Sequence, residues 1–353
     1  MRITKITADK VSIPLHEPFV ISLGTVDSAD TVIVQVQTDE GLTGYGEGAG
    51  VGFVTGESPD TVLEAIKVFT PELMGLNPFA IEHAHKAMDR LLVGNGSAKA
   101  ALDLAMYDIM GKAAGLPVYQ LLGGVDGVVE VDQTIGLGDP AEMAAKAGEL
   151  VAQGYREIKV KAGSDDDHDE AAIGLIRQSA PHAHLKVDAN QGWGAAQALR
   201  LLAMYQAVGV EAVEQPLPYW DVDGMAYVRS RSPIPIMADE SCFTPHDASR
   251  IVRHQAADLI NIKLMKCGGI YPALQINAIA EAAGLHCMVG CMLESRLSIA
   301  AGAHLVASRD NIVYADLDSF NDFDDSTVVA SAFGFDVPNI DLGGKPGLGV
   351  ELA

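Results

Sequence analysis

Cysteine is scarce in this 353-residue chain: Cys242, Cys267, Cys287 and Cys291 are the only four, and no two form a C-x-x-C pair. Neither a disulfide framework nor a structural zinc site is expected, and reduced thiols suit a cytoplasmic protein. Basic residues are also few, with 24 Lys and Arg against 47 Asp and Glu, a formal net charge of -23. No basic stripe interrupts that field, which repels a phosphate backbone, so nucleic acid is not an expected partner. No apolar run approaches the roughly 20 residues that cross a bilayer. The opening Met1-Arg2-Ile3-Thr4 lacks the apolar stretch of a signal peptide, so no membrane partner and a cytoplasmic location are expected. The ten histidines show no H-x-x-x-H or H-E-x-x-H spacing. Gly123-Gly124 and Gly268-Gly269 fit no nucleotide-binding pattern and read as turns.

What is present is ordinary globular material, 48% hydrophobic and 20% charged, in a chain long enough for one large core and a smaller domain. Residues 1–50 are strand-like, with Thr31-Val-Ile-Val-Gln-Val-Gln37 and Gly44-Tyr-Gly-Glu47 flanking a turn at Glu40-Gly41. Helical periodicity follows over 60–73, 81–92 and 97–114, the last opening on a Ser97 cap and stopping at Gly115-Leu-Pro117. These elements predict an α+β capping domain over 1–124.

Beyond it, short apolar runs alternate with helical stretches. Strands are expected at 128–134, 157–161, 185–188, 212–214, 234–239, 259–263, 286–290 and 312–318, the spacing of a (β/α)₈ barrel (a modified TIM barrel) over 125–323. Its site would form at the C-terminal strand ends. The segment 324–353 has strand and turn character and is expected to return to the capping domain. The fold class is therefore α/β, with an N-terminal α+β capping domain.

The candidate strands end in charge: Lys161, Asp188, Glu214, Asp239 and Lys263. Residues two apart on a strand share a face, so Lys159 joins Lys161, and Asp316 joins Asp318, at the barrel mouth. Asp188, Glu214 and Asp239 offer the oxygen-only set that a hard divalent cation prefers, Mg²⁺ first and Mn²⁺ next. Lys161 and Lys263, on strands two and six, lie opposite one another across eight strands. Proton removal from one face of a carbon and return from the other is inversion. A metal on the substrate carboxylate would stabilise the enediolate that this requires, and the metal and Lys159 are expected to favour a neutral amine at the base. Asp165-Asp-Asp-His-Asp-Glu170 reads as a solvated helix start.

With those residues in hand, the chain closely resembles the muconate-lactonizing subgroup of the enolase superfamily along nearly its whole length. The matching motifs are Ile158-Lys-Val-Lys161, Val187-Asp-Ala-Asn-Gln-Gly-Trp193, Val213-Glu-Gln-Pro216, Met237-Ala-Asp-Glu-Ser241, Ile260-Asn-Ile-Lys-Leu-Met-Lys-Cys-Gly-Gly269 and Gly290-Cys-Met-Leu-Glu-Ser295. The resemblance implies acid/base catalysis by Lys161 and Lys263 and metal binding by Asp188, Glu214 and Asp239. Asp316-Leu-Asp318 resembles the pair that binds the substrate α-ammonium in dipeptide epimerases, and Thr134, Lys159 and Cys291 take positions of substrate contact. The implied activity is epimerisation of a dipeptide at the Cα of its C-terminal residue, by a homo-oligomer. Glutamate-specific members carry an arginine in the first capping loop, where this chain has Gly24. Val20, Ile21 and Phe53 instead suggest an apolar or small side-chain pocket. The same scaffold also serves N-acylamino acid racemases, o-succinylbenzoate synthases and muconate-type cycloisomerases, for which an Asp-x-Asp pair would have no ammonium to hold. A noncatalytic barrel would be expected to have lost some of the lysines or acids.

Overall fold

The β-branched run at 31–36 forms the centre of a three-stranded antiparallel sheet. Its strands are β1 (Ile3–Ile21), β2 (Gly24–Thr38) and β3 (Thr43–Gly48), in that order, in a computed structural model that describes residues 1–353. Alternation along β2 serves two cores. Val32, Val34 and Val36 pack with Phe69, Met88 and Leu102, while Ile33 on the other face joins the barrel cluster. Helices α1 (Pro59–Leu73), α2 (Ile81–Leu91), α3 (Gly96–Ala114) and α4 (Val118–Leu121) complete this region. At Gly46 a Cβ would lie 1.9 Å from the Ala101 carbonyl oxygen, so β3 can lie against α3 only without a side chain there.

Ser97 does not cap α3. The helix starts at Gly96 after a left-handed Asn95, and no side chain at that end bonds the backbone from the cap position. The Glu57 carboxylate instead accepts the Ser97 and Ala98 N–H groups at 3.0 and 3.3 Å. A distant carboxylate satisfies these buried helix donors, which no local pattern announces.

Eight parallel strands follow: β5 (Gln133–Ile135), β6 (Glu157–Lys161), β7 (His184–Asp188), β8 (Val210–Glu214), β9 (Ile236–Ala238), β10 (Leu259–Lys263), β11 (His286–Gly290) and β12 (Ile312–Asp316). Helices α5 (Pro140–Gln153), α6 (Asp166–Ser179), α7 (Ala195–Ala207), α8 (Val222–Arg229), α9 (Pro245–His254), α11 (Ile270–Ala282) and α12 (Arg296–Val306) connect them, with the short α10 (Leu264–Cys267) directly after β10. The Asp132 N–H donates to the Ala315 carbonyl at 3.1 Å and joins the first barrel strand to the last.

The expected strand at 128–134 is two strands. β4 (Val128–Glu130) pairs antiparallel with β15 (Asn339–Asp341), and only Gln133–Ile135 enters the barrel. The C-terminal segment adds β13 (Val329–Ser331), β14 (Gly334–Asp336) and β16 (Glu351–Leu352). It also touches the first helices: the Leu348 N–H donates to Asp108 at 2.8 Å and the Val118 N–H to Gly347 at 2.9 Å.

His304 on α12 makes this junction sensitive to acid. Fully buried, it accepts the Tyr119 N–H through Nδ1 at 3.1 Å and stacks on the Tyr119 ring. Burial pushes its pKa down to about 4. Below its ordinary value near 6.5, the unfolded chain binds a proton that the folded chain refuses, so stability present above that pH is lost as pH falls toward 4. The loss reaches roughly 3 kcal/mol. Buried Glu294, raised to about 7, acts in the opposite sense, so the difference between two proteins is the informative quantity. The urea midpoint of His304→Gln should fall less than that of the wild type between pH 7 and 4.5; parallel curves would refute this.

Candidate active site

Register places the charged residues in one ring. Lys161, Asp188, Glu214, Lys263 and Asp316 are each the last residue of their strand. Lys161 lies opposite Asp188, Asp188 opposite Glu214, and Gly290 lies between Lys263 and Asp316. Asp239 is the first residue after β9, and Asp318 lies two past β12, at the start of a 3₁₀ turn (Ser319–Asn321). The expectation that Asp318 completes a strand face with Asp316 is therefore corrected. The strand ends at Asp316 and Asp318 takes helical backbone angles, yet both carboxylates line the cavity.

Asp188, Glu214 and Asp239 converge so that one oxygen of each lies within 4.8 Å of the others. Backbone and side chains orient them: the Asn190 N–H meets Asp188 at 2.9 Å, the Asn261 amide meets Glu214 at 2.7 Å, and Lys266 Nζ meets Asp239 Oδ1 at 2.5 Å. Oδ2 of Asp239 is buried with no hydrogen-bond partner; the Lys263 ammonium is 3.2 Å away but off the bonding direction. Three buried carboxylates with a free oxygen among them fit a hard divalent cation.

Lys159 is buried among the acids, with Nζ 2.7 Å from Asp316, 2.9 Å from Glu214 and 3.1 Å from Asp188. Burial opposes its charge, but those carboxylates outweigh burial and hold the ammonium well above the usual lysine range. Lys161 Nζ lies 2.8 Å from Asp188. Burial likewise opposes the Lys263 charge, and Asp239 overrides it, so this lysine is raised. The neutral amine expected from sequence is one beside a bound cation; Asp239, 3.2 Å from Lys263 Nζ, favours the ammonium until a cation meets its charge. Glu214 is pushed up to about 7 by burial and by Asp188. Asp239 resists burial through Lys263 and Lys266, which hold it far below the carboxylate range.

Opposite the acid triad, Asp318 Oδ2 accepts the Thr134 N–H at 2.6 Å, and Thr134 Oγ1 reaches Asp316 at 3.3 Å. Cys291 Sγ lies 3.9 Å from Asp318. Burial works against the Asp316 charge, but Lys159 and Lys263 hold the group at about 2. Asp318 rises to about 6 through burial and the neighbouring Asp316. All five candidate substrate residues, Thr134, Lys159, Cys291, Asp316 and Asp318, line one cavity together with Lys161 and Lys263.

The outer wall is apolar. Phe19, Ile21 and Val26 come from the β1–β2 hairpin, and Val51, Phe53 and Val54 from the segment after β3. The first of these is strand, paired Phe19 to Val26 and Ile21 to Gly24, not a loop. Val20 does not line the cavity. Gly24 lies beside the Phe53 ring, its built Cβ 3.6 Å from Cε1.

Three buried charges of this region were not singled out from sequence. Lys266 sits inside a motif dominated by Lys263; Glu240 follows Asp239 and takes the Asn190 amide at 3.2 Å. Asp132 precedes Thr134 by two residues, a same-face spacing that was a readable signal. The acidic run at 165–170 is only partly solvated. Asp165 caps α6 through the His168 N–H, but Asp169 is buried and accepts the Gly163 N–H and Trp193 Nε1 at 3.0 and 2.9 Å. No helix is long and apolar enough to cross a membrane.

Residues 3–123 match the N-terminal domain of mandelate racemase / muconate lactonizing enzyme, and residues 142–353 match the enolase C-terminal domain-like family. A hydrophobic dipeptide epimerase of Enterococcus faecalis is 45% identical, over 99% of this chain and 100% of its own. An N-succinyl-L-Arg/Lys racemase of Bacillus cereus is 40% identical, over 100% and 96% respectively. The crystal structure of the E. faecalis V583 dipeptide epimerase, complexed with Mg and L-Leu-L-Tyr, superposes with a TM-score of 0.97 at 44% identity, covering 99% of this chain and 100% of that one. With both halves matched and the barrel-end acids and lysines in register, the chain belongs to the mandelate racemase / muconate lactonizing enzyme family of the enolase superfamily.

Proposed function

We propose that the protein is a dipeptide epimerase that inverts the Cα of the C-terminal residue of apolar dipeptides, by 1,1-proton transfer between Lys161 and Lys263. One observation carries this reading: the two amines stand on barrel strands four apart in an eight-stranded order and line a single cavity, with three carboxylates on one side and the Asp316/Asp318 pair on the other.

In this reading Asp188, Glu214 and Asp239 hold Mg²⁺, or Mn²⁺ in its place. When bound, the cation supplies positive charge that makes the α-proton beside the substrate carboxylate more acidic and relieves the counter-charge that the acids place on the lysines. One lysine, as the neutral amine, takes the α-proton from its face; the other, as the ammonium, delivers a proton to the opposite face. Lys159 keeps a fixed positive charge beside the acids. Asp318, steadied by the Thr134 N–H, and Asp316, steadied by the Thr134 hydroxyl, hold the substrate α-ammonium and so fix which carbon lies between the bases. Cys291 contacts the same end of the substrate. Phe19, Ile21, Val26 and Phe53 exclude water and favour apolar side chains, and no basic residue among the cavity's outer wall would pair with a glutamate. The hydrophobic dipeptide epimerase at 45% identity and the L-Leu-L-Tyr complex support that preference. A neutral or anionic N-acyl group would leave the Asp316/Asp318 pair unmatched, which speaks against N-acylamino acid racemisation.

The reading includes a division into a capping domain over 1–124, a catalytic barrel over 125–323 and a returning segment over 324–353. It also includes a cytoplasmic location, supported by four unpaired cysteines, and a homo-oligomer, supported by exposed aromatic surface at Tyr219 and Trp220.

Solvent deuterium incorporation at Cα, followed by mass spectrometry across an L,L-dipeptide library, tests the reaction. Exchange is expected with apolar dipeptides in Mg²⁺ and should fall about 100-fold or more in EDTA. Absence of exchange with every dipeptide would overturn the assignment; a preference for C-terminal glutamate would overturn the apolar specificity.

A further inference from the structure

Asp132 is a buried carboxylate whose presence the fold does not explain. Its side chain is 0% exposed, and neither oxygen has a hydrogen-bond partner. Lys186 Nζ lies 3.1 Å from Oδ2 but outside bonding geometry; it is engaged by Glu157 and sits 4.3 Å from the centroid of the Tyr314 ring. A buried carboxylate without hydrogen bonds is costly, and a buried ion pair is rarely more stable than a well-packed apolar substitute. Stability alone therefore gives no reason for aspartate at this position.

Its surroundings suggest one. Single oxygens of Asp132, Asp316 and Asp318 lie within 4.8 Å of one another, all in buried side chains. Asp316 and Asp318 line the substrate cavity, whereas Asp132 lies behind them. The nearby cations do not balance three carboxylates: Lys159 divides its charge among Asp316, Glu214 and Asp188, and Lys186 divides its charge between Asp132 and Glu157. Burial, reinforced by Asp316 and Asp318, therefore pushes the Asp132 carboxyl well above the ordinary carboxylate range against the pull of Lys186, so the cluster is short of one positive charge. The Asp132 backbone N–H, bonded to the Ala315 carbonyl beside Asp316, fixes this geometry.

We propose that Asp132 is a positioning residue for the ammonium pocket: its carboxyl, placed behind Asp316 and Asp318, lends negative charge to a cation bound there and so keeps the cavity selective for substrates with a free cationic N-terminus. The inference rests on reading the Asp316/Asp318 pair as that pocket. A bound ammonium compensates three ionised acids, while an acylated nitrogen gains nothing from Asp132.

Kinetics of the full-length Asp132→Asn protein test it, with an apolar dipeptide as substrate and its N-acetyl derivative as competitive inhibitor. The expected result is a KM about 10-fold higher for the free dipeptide, with kcat within about 3-fold. The inhibition constant of the acetylated compound should stay unchanged or fall. Equal losses for both compounds, a fall in kcat alone, or no change would overturn the proposal. Should Asp132→Asn not fold, Asp132→Asn/Lys186→Met removes both buried charges and is measured in the same way, with the same outcomes decisive. The parallel wild-type assay separates the two levels: inactivity toward every dipeptide overturns the epimerase reading, and the pocket with it. An active wild type with unaltered discrimination in the variant overturns only the role of Asp132.

Discussion

Lys161→Ala and Lys263→Ala should each reduce epimerisation by about 10⁴-fold, the upper range for loss of a general acid/base. Inversion needs both amines in one turnover, one to take the α-proton and one to return it from the other face, so neither variant can complete it. Half of the chemistry survives. Each variant keeps one lysine facing one side of the α-carbon and should still exchange the α-proton of the single stereoisomer that presents its hydrogen there. In D₂O, Lys161→Ala should wash label into one isomer of the C-terminal residue and Lys263→Ala into the other. The same isomer exchanged by both variants would refute two-base catalysis. Because Lys161 and Lys263 lie 2.8 and 3.2 Å from Asp188 and Asp239, Mg²⁺ affinity is measured alongside by calorimetry, and retention of binding assigns the loss to the base.

Asp318→Asn should raise KM for a free dipeptide by about 30-fold or more, from losing one charged partner of a desolvated ammonium, worth roughly 2–3 kcal/mol. The carboxylate accepts the Thr134 N–H and the Gln133 amide but touches neither lysine nor the acid triad in any hydrogen bond or ion pair. The change should therefore fall on KM and leave kcat within about 3-fold and Mg²⁺ affinity intact. Asp316→Asn should behave differently. That carboxylate holds Lys159 at 2.7 Å, and its neutralisation leaves Lys159 to Asp188 and Glu214 alone, so kcat should fall as well as KM rise. Identical profiles for the two variants would show that the aspartates are not divided in this way.

Sequence by itself determined most of the architecture and the make-up of the charged ring. Apolar runs closing on Lys161, Asp188, Glu214 and Lys263 name their strands, and period two decides which residues share a face, so these positions were legible without coordinates. The failures have a common cause: each concerns a group whose partner is remote in the chain. Ser97 looked like a cap because a serine opened the helix, yet Glu57 bonds those donors from 40 residues away. Asp169 looked solvated beside other acids, but Trp193 and the Gly163 backbone bury it. The run 128–134 read as one strand, and only pairing with Asn339–Asp341 divides it. Local pattern decides which face a side chain takes, whereas the field and hydrogen bonds it meets there come from strands brought together by closure of the barrel. Tertiary structure alone therefore decided which carboxylate meets which ammonium in the site and placed Asp132 behind the Asp316/Asp318 pair.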